Sequence, residues 1–191
     1  MKKTGLVFLA DGFEEVEAIT VVDYLRRAGI EVKTCSIHEH DIVKGAHNVP
    51  VKADCLISDL SQDELFDTVI LPGGLPGAYN LRDDARVIKS IQTHSENNKL
   101  VAAICAAPVI LAKAGLTQGR KGTSYPGFGD DLGFAEYSEE ISVRDGNIIT
   151  ARGPATAAYF ALDIIDYLLG AESAAEVKDG ILLHLVEKAS C

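Results

Sequence analysis

The chain has 191 residues, 47% hydrophobic and 24% charged, which suits one compact domain spanning 1–191 that buries about 70% of its unfolded surface. Eighteen Lys and Arg against 28 Asp and Glu leave a net charge of −10, so the basic footprint of a nucleic-acid or anionic-membrane binder is missing and small molecules are the expected partners. The apolar run 6–10 stops at Asp11, too short for a signal-peptide core or a membrane span, and the expected location is the cytoplasm.

That run, Leu6-Val7-Phe8-Leu9-Ala10, reads as a buried strand closed by an Asp11-Gly12 turn. From 14 to 28 the apolar residues Ala18, Val21, Val22 and Leu25 recur at helical spacing, with acids in the first turn, Arg26 and Arg27 in the last, and Gly29 as a left-handed cap. Residues 30–37 alternate as a strand, and 38–61, with Gly45 and Pro50, holds a possible hairpin. The strand and helix pattern then repeats: strand 68–71, a glycine loop, a helix through Val87, Ile88 and Ile91, and strand 100–104. Segments 141–143 and 148–150 flank Asp145-Gly146, a hairpin signal. A long amphipathic helix through Ala158, Ala161, Leu162, Ile165 and Leu168 ends at Gly170. This alternation predicts an α/β three-layer sandwich around a mostly parallel sheet.

Ligands of such sheets bind beyond the carboxyl ends of the strands, and three of those ends carry chemistry. In the sharpest, strand 100–104 runs into Cys105-Ala106-Ala107-Pro108, with Pro108 where a helix begins. Small Ala103 and Ala107 fit a nucleophile elbow, and a helix start beside the sulfur predicts a lowered thiol pKa. Pro72-Gly73-Gly74 can aim backbone N–H groups at an anion, although a plain tight turn explains the same glycines. Its spacing matches neither a dinucleotide nor a Walker loop. Glu14 and Glu15 suit a helix start without catalysis, whereas Glu17 lies beside the apolar stripe, where a dry setting would keep its carboxyl protonated.

Four motifs in order, D-G-F-E-E-V-E, L-P-G-G-L-P-G-A, A-A-I-C-A-A-P and A-R-G-P-A-T, resemble the DJ-1/ThiJ/PfpI superfamily in its parkinsonism-associated branch, and the resemblance covers nearly the whole chain. It implies a flavodoxin-like sandwich, usually a homodimer, with Cys105 as reactive residue, Glu17 touching its sulfur, Gly74 and Ala106 as backbone donors, Gly73 and Tyr125 shaping the pocket, and no cofactor or metal. It further implies a cytoplasmic stress-response protein whose cysteine oxidises to a sulfinic acid, acting as a glyoxalase that turns methylglyoxal into lactate or as a deglycase. The alternative it leaves is a non-catalytic oxidative-stress sensor or redox-regulated chaperone using the same cysteine. Two departures matter. Ala106 stands where protease-like members carry a histidine, which disfavours peptidase chemistry, and Tyr125 precedes Pro126 where this branch carries a histidine. A phenol of pKa about 10 cannot replace a near-neutral base.

The remaining candidates read as structure. His38, Glu39, His40 and Asp41, with His47 nearby, offer metal-ligand types without completing a metal signature. His94 and His184 fall in helical stretches as packing or solvent residues, Cys35 and Cys55 read as structural, and Cys191 as a tail thiol.

Overall fold

The computed structural model describes residues 2–61 and 63–189. In chain order they form β1 (Thr4–Leu9), α1 (Glu15–Arg27), β2 (Glu31–Ser36), β3 (Ile42–Lys44), β4 (Pro50–Lys52), β5 (Cys55–Leu56), β6 (Thr68–Leu71), α2 (Gly77–Asp83), α3 (Ala85–Glu96) and β7 (Leu100–Ile104). There follow α4 (Pro108–Lys113), β8 (Lys121–Gly122), β9 (Glu136–Tyr137), β10 (Ser142–Asp145), β11 (Ile148–Ala151), α5 (Ala157–Leu169), α6 (Ala171–Gly180) and α7 (Leu183–Ala189).

Seven strands make the central sheet in the order β10-β11-β7-β6-β1-β2-β5, and every pairing in it is parallel except the β10–β11 hairpin. The apolar runs are continuous because both faces of the sheet are covered. In β1, Val7 and Leu9 enter one core with α1 and α5, while Leu6 and Phe8 enter a second core with α3 and α4. After β1 the chain adds β2 on one side and later β6 on the other. Between β1 and β6 the strand order therefore reverses, which is where the loops of an open parallel sheet part to leave a crevice.

Helix α1 buries Ala18, Val21, Val22 and Leu25, the stripe its spacing predicts, together with Glu17. The helix expected around Val87 is preceded by a second, shorter one. Asp84 breaks the two apart and caps α3, its side chain accepting the Arg86 N–H at 2.8 Å. The 38–61 segment contains the expected hairpin, β3 against β4. Beyond Gly170 the structure adds α6, and α7 is the helical stretch expected around His184. No helix among the described residues is long and apolar enough to cross a membrane. Cys191 lies outside the described residues.

Candidate active site

Strand β7 is buried along its whole length and delivers Cys105 at its carboxyl end. Cys105 has φ 66°, the left-handed region that costs a non-glycine residue about 1–2 kcal/mol. Two main-chain bonds hold it there: its N–H donates to the Ala151 carbonyl at 2.9 Å, and its carbonyl accepts the Tyr125 N–H at 2.8 Å. Pro108 opens α4 as expected, because a proline at the first helical position sacrifices no hydrogen bond. The elbow inferred from the sequence is therefore a strained turn fixed from both sides.

Glu17 approaches from α1 and is fully buried. Its Oε2 accepts the Gly73 N–H at 2.7 Å, and its carboxyl is hydrogen-bonded to the Cys105 thiol. The other oxygen, Oε1, is buried without a hydrogen-bond partner. Gly73 sits at the meeting point. A Cβ placed on it would stand 2.7 Å from the Cys105 Cβ, 2.7 Å from Glu17 Oε2 and 3.0 Å from the Ala106 nitrogen. At Gly74, with φ 85°, a side chain would run into the backbone of Phe13 and Glu14. That close approach lets the Gly74 and Ala106 N–H groups both point at the Cys105 sulfur. The same contact ties the loop after β1 to the loop after β6, with the Glu14 N–H donating to the Gly73 carbonyl at 2.9 Å.

Gly73→Ala should therefore move Cys105 or Glu17 rather than merely fill space. We expect a loss of about 1–3 kcal/mol of stability, or roughly 2–4 °C of melting temperature per kcal/mol for a chain of this size. Thermal denaturation checks this, and a melting temperature equal to the wild type's would show that the convergence at position 73 is not tight.

Burial pushes the Glu17 carboxyl up from 4.5 to about 7, against the opposing pull of the Cys105 thiol and the Gly73 N–H. The thiol departs from the expected direction. Burial raises its pKa first, the charge of ionised Glu17 raises it further, and the Ala106 and Gly74 N–H groups lower it by less. The reading from the helix start counted only the last contribution; α4 has just six residues, and its dipole is correspondingly small. The two groups share one proton problem. With Glu17 protonated, the like-charge penalty on a thiolate vanishes and the carboxyl becomes a donor to it.

The other candidates separate cleanly. Tyr125 is half exposed, and its ring lies against Gly153, so its backbone rather than its phenol touches the elbow. His38 Nε2 accepts the Asp11 N–H at 3.1 Å, and His40 Nδ1 faces the Ile42 carbonyl at 2.8 Å. His47 pairs instead with Glu15 at 2.9 Å, which draws the imidazole pKa up. Glu14, Glu15 and His47 thus bring three ligand-type atoms within 4.8 Å of one another, a grouping the sequence reading did not make. Glu15 is engaged as a brace: its Oε1 also accepts the His47 and Val49 N–H groups. His94 is a packed core residue, with Nε2 accepting the Phe66 N–H and Nδ1 donating to the Ser90 carbonyl. His184 lies 3.5 Å from Asp179. A cavity of about 400 Å³ lined by Leu6, Phe8, Ile57 and Phe66 belongs to the second core and has no part in the cysteine site.

A parallel sheet whose neighbouring strand ends deliver an acid, two glycines and a strained cysteine to one point defines a flavodoxin-like α/β protein with a cysteine elbow. The chain belongs to the DJ-1/PfpI family, whose model matches residues 3–167. It is 40% identical over 185 residues to the dj-1beta protein of Drosophila melanogaster, covering 96% of this chain and 98% of that protein. A solved structure of oxidised DJ-1 from Toxoplasma gondii superposes with a TM-score of 0.91 at 40% identity, covering 94% of this chain and 98% of that one. A protein of Pyrococcus abyssi named a deglycase is 35% identical, over 78% of this chain and 89% of its own length.

Proposed function

We propose that this protein is a cysteine-dependent enzyme acting on reactive 2-oxoaldehydes or the adducts they form, with methylglyoxal converted to lactate as its simplest reaction. The observation that supports it most is the convergence on the Cys105 sulfur of a protonatable carboxyl and two backbone donors. The Cys105 thiolate adds to the aldehyde carbon, and the new alkoxide oxygen of the hemithioacetal is stabilised by the Gly74 and Ala106 N–H groups. Glu17, poised near pH 7, then carries a proton from the aldehyde carbon to the neighbouring ketone carbon. One carbon is oxidised as the other is reduced, and water releases lactate from the resulting thioester. The reaction is internally balanced, so it needs no external electron acceptor. The name of the archaeal relative supports the same substrate class. Methylglyoxal turnover by purified protein, wild type beside Cys105→Ser, tests the reading.

One observation favours a sensor that uses the same cysteine. Tyr125 offers no near-neutral base beside the elbow, and the donors around the sulfur would equally hold an oxidised sulfinate. A stable sulfinic acid after peroxide, without methylglyoxal turnover, decides for the sensor. The family relationship further supports a homodimer in the cytoplasm. Light scattering at micromolar concentration should give twice the chain mass, and a single-chain mass of 20.4 kDa would defeat the dimer.

A further inference from the structure

Cys35 and Cys55 read as structural or incidental in the sequence, twenty residues apart with a hairpin between them. The sheet brings them side by side. They are register partners on the parallel strands β2 and β5. Register partners in a parallel pair point to the same face, and both thiols pack against the second core, Cys35 donating to the Ser36 carbonyl at 3.8 Å and Cys55 to the Thr34 carbonyl at 3.6 Å. Their exposure differs. Cys35 is fully buried, whereas Cys55 is half-buried and lines a surface depression shared with His40, Lys52 and Asp59.

We infer that Cys35 and Cys55 form a redox-active dithiol, separate from Cys105, that closes to a disulfide by exchange with a low-molecular-weight disulfide. Neighbouring strands lie about 4.8 Å apart, inside the roughly 4.4–6.8 Å that a disulfide spans between Cα atoms. Side chains standing parallel on that spacing must still lean together. Strand β5 can supply the movement, because it is two residues long and, among the described residues, pairs with β2 alone at the sheet edge. Register is held independently by the preceding residue. Asp54 donates its N–H to the Thr34 carbonyl at 2.9 Å and accepts from the Thr34 N–H and hydroxyl at 2.8 and 2.9 Å, with Arg26 closing the clamp at 2.8 Å.

The order of events follows from access. Cys55 loses its proton to solvent and its thiolate attacks the small disulfide, giving a mixed disulfide and one free small thiolate, which takes up a proton. Cys35 then attacks the Cys55 sulfur, and its proton leaves with the second small thiol. The protein dithiol is oxidised by two electrons, and one small disulfide is reduced to two thiols. Burial raises both thiols above the ordinary range, so exchange should quicken as pH rises. The closed ring would enclose the β3–β4 hairpin. That hairpin and its loop bond the chain that leads into α1: the Gly12 N–H donates to the Lys44 carbonyl, the Ala46 N–H donates to the Phe13 carbonyl, and His47 pairs with Glu15.

The test is incubation with glutathione disulfide at pH 7 and pH 8.5, followed by intact mass and a non-reducing tryptic map. Wild type should lose two hydrogens and link peptide 34–44 to peptide 53–82, faster at the higher pH and reversibly with dithiothreitol. Cys35→Ser should stop at the first step, keeping one glutathione on Cys55. Cys55→Ser should show neither product from these two positions. The inference is overturned if wild type retains glutathione on Cys55 as Cys35→Ser does, if Cys55 is unmodified in both at pH 8.5, or if the cross-link joins Cys105 instead.

Discussion

Purified Cys105→Ser protein should turn over methylglyoxal at no more than about a thousandth of the wild-type rate. The serine hydroxyl would occupy nearly the same place, between the same Gly74 and Ala106 donors. What it lacks is an accessible anion, since an alcohol is far less acidic than a thiol and the site's burial disfavours charge on either. The fold should be indifferent. Serine has almost the volume of cysteine, and the bonds that hold φ 66° belong to the backbone, so stability should stay within about 1 kcal/mol of wild type. Comparable rates in the two proteins would remove Cys105 from the chemistry. A folded variant with no turnover, beside an active wild type, assigns the nucleophile.

Glu17→Gln should yield a protein more stable than wild type at pH 8 and no more stable at pH 4.5. The folded-state carboxyl titrates near 7, against an ordinary 4.5. Between those values the folded chain keeps a proton that the unfolded chain has lost, so wild-type stability is full below the lower value and drains away as pH rises through the upper one. The total is about 3 kcal/mol, equivalent to roughly 6–12 °C in melting temperature. Glutamine escapes this loss because it stays neutral; its oxygen can accept the Gly73 N–H while its amide donates to the sulfur. Alanine removes the donor and opens a cavity, and should destabilise at both pH values. Sulfinic acid formation after peroxide should accordingly survive Glu17→Gln better than Glu17→Ala, with turnover falling in both because neither exchanges a proton. Parallel melting curves for wild type and Glu17→Gln from pH 4.5 to 8 would show that Glu17 is not protonated in the folded site.

Much of this site was legible in the sequence because its parts are local. An apolar strand, then Cys105, then Pro108, describes a strand-to-helix turn within nine residues, and the buried stripe of α1 places Glu17 at its margin. The direction of the thiol pKa was not legible. It depends on burial and on a carboxyl that arrives from helix α1, and neither is visible from residues 100–108 alone. The Cys35–Cys55 contact was hidden for a related reason: it exists only in the register of β2 on β5, fixed by the Thr34–Asp54 clamp. Helix α6 was not legible because it lacks the broad apolar stripe of α1 or α5 and buries only Val177.

The two donors at the sulfur are main-chain amides, and the positions that present them are defined by having little or no side chain, Gly74 and Ala106. Charge stabilisation in this pocket is thus written in backbone shape, where substitution of a neighbouring side chain cannot delete it. Tyr125, half exposed above Gly153, carries no such burden. Descendants of this chain are free to remodel the pocket wall at that position and change what enters, while the part of the machine that meets a developing negative charge is inherited intact.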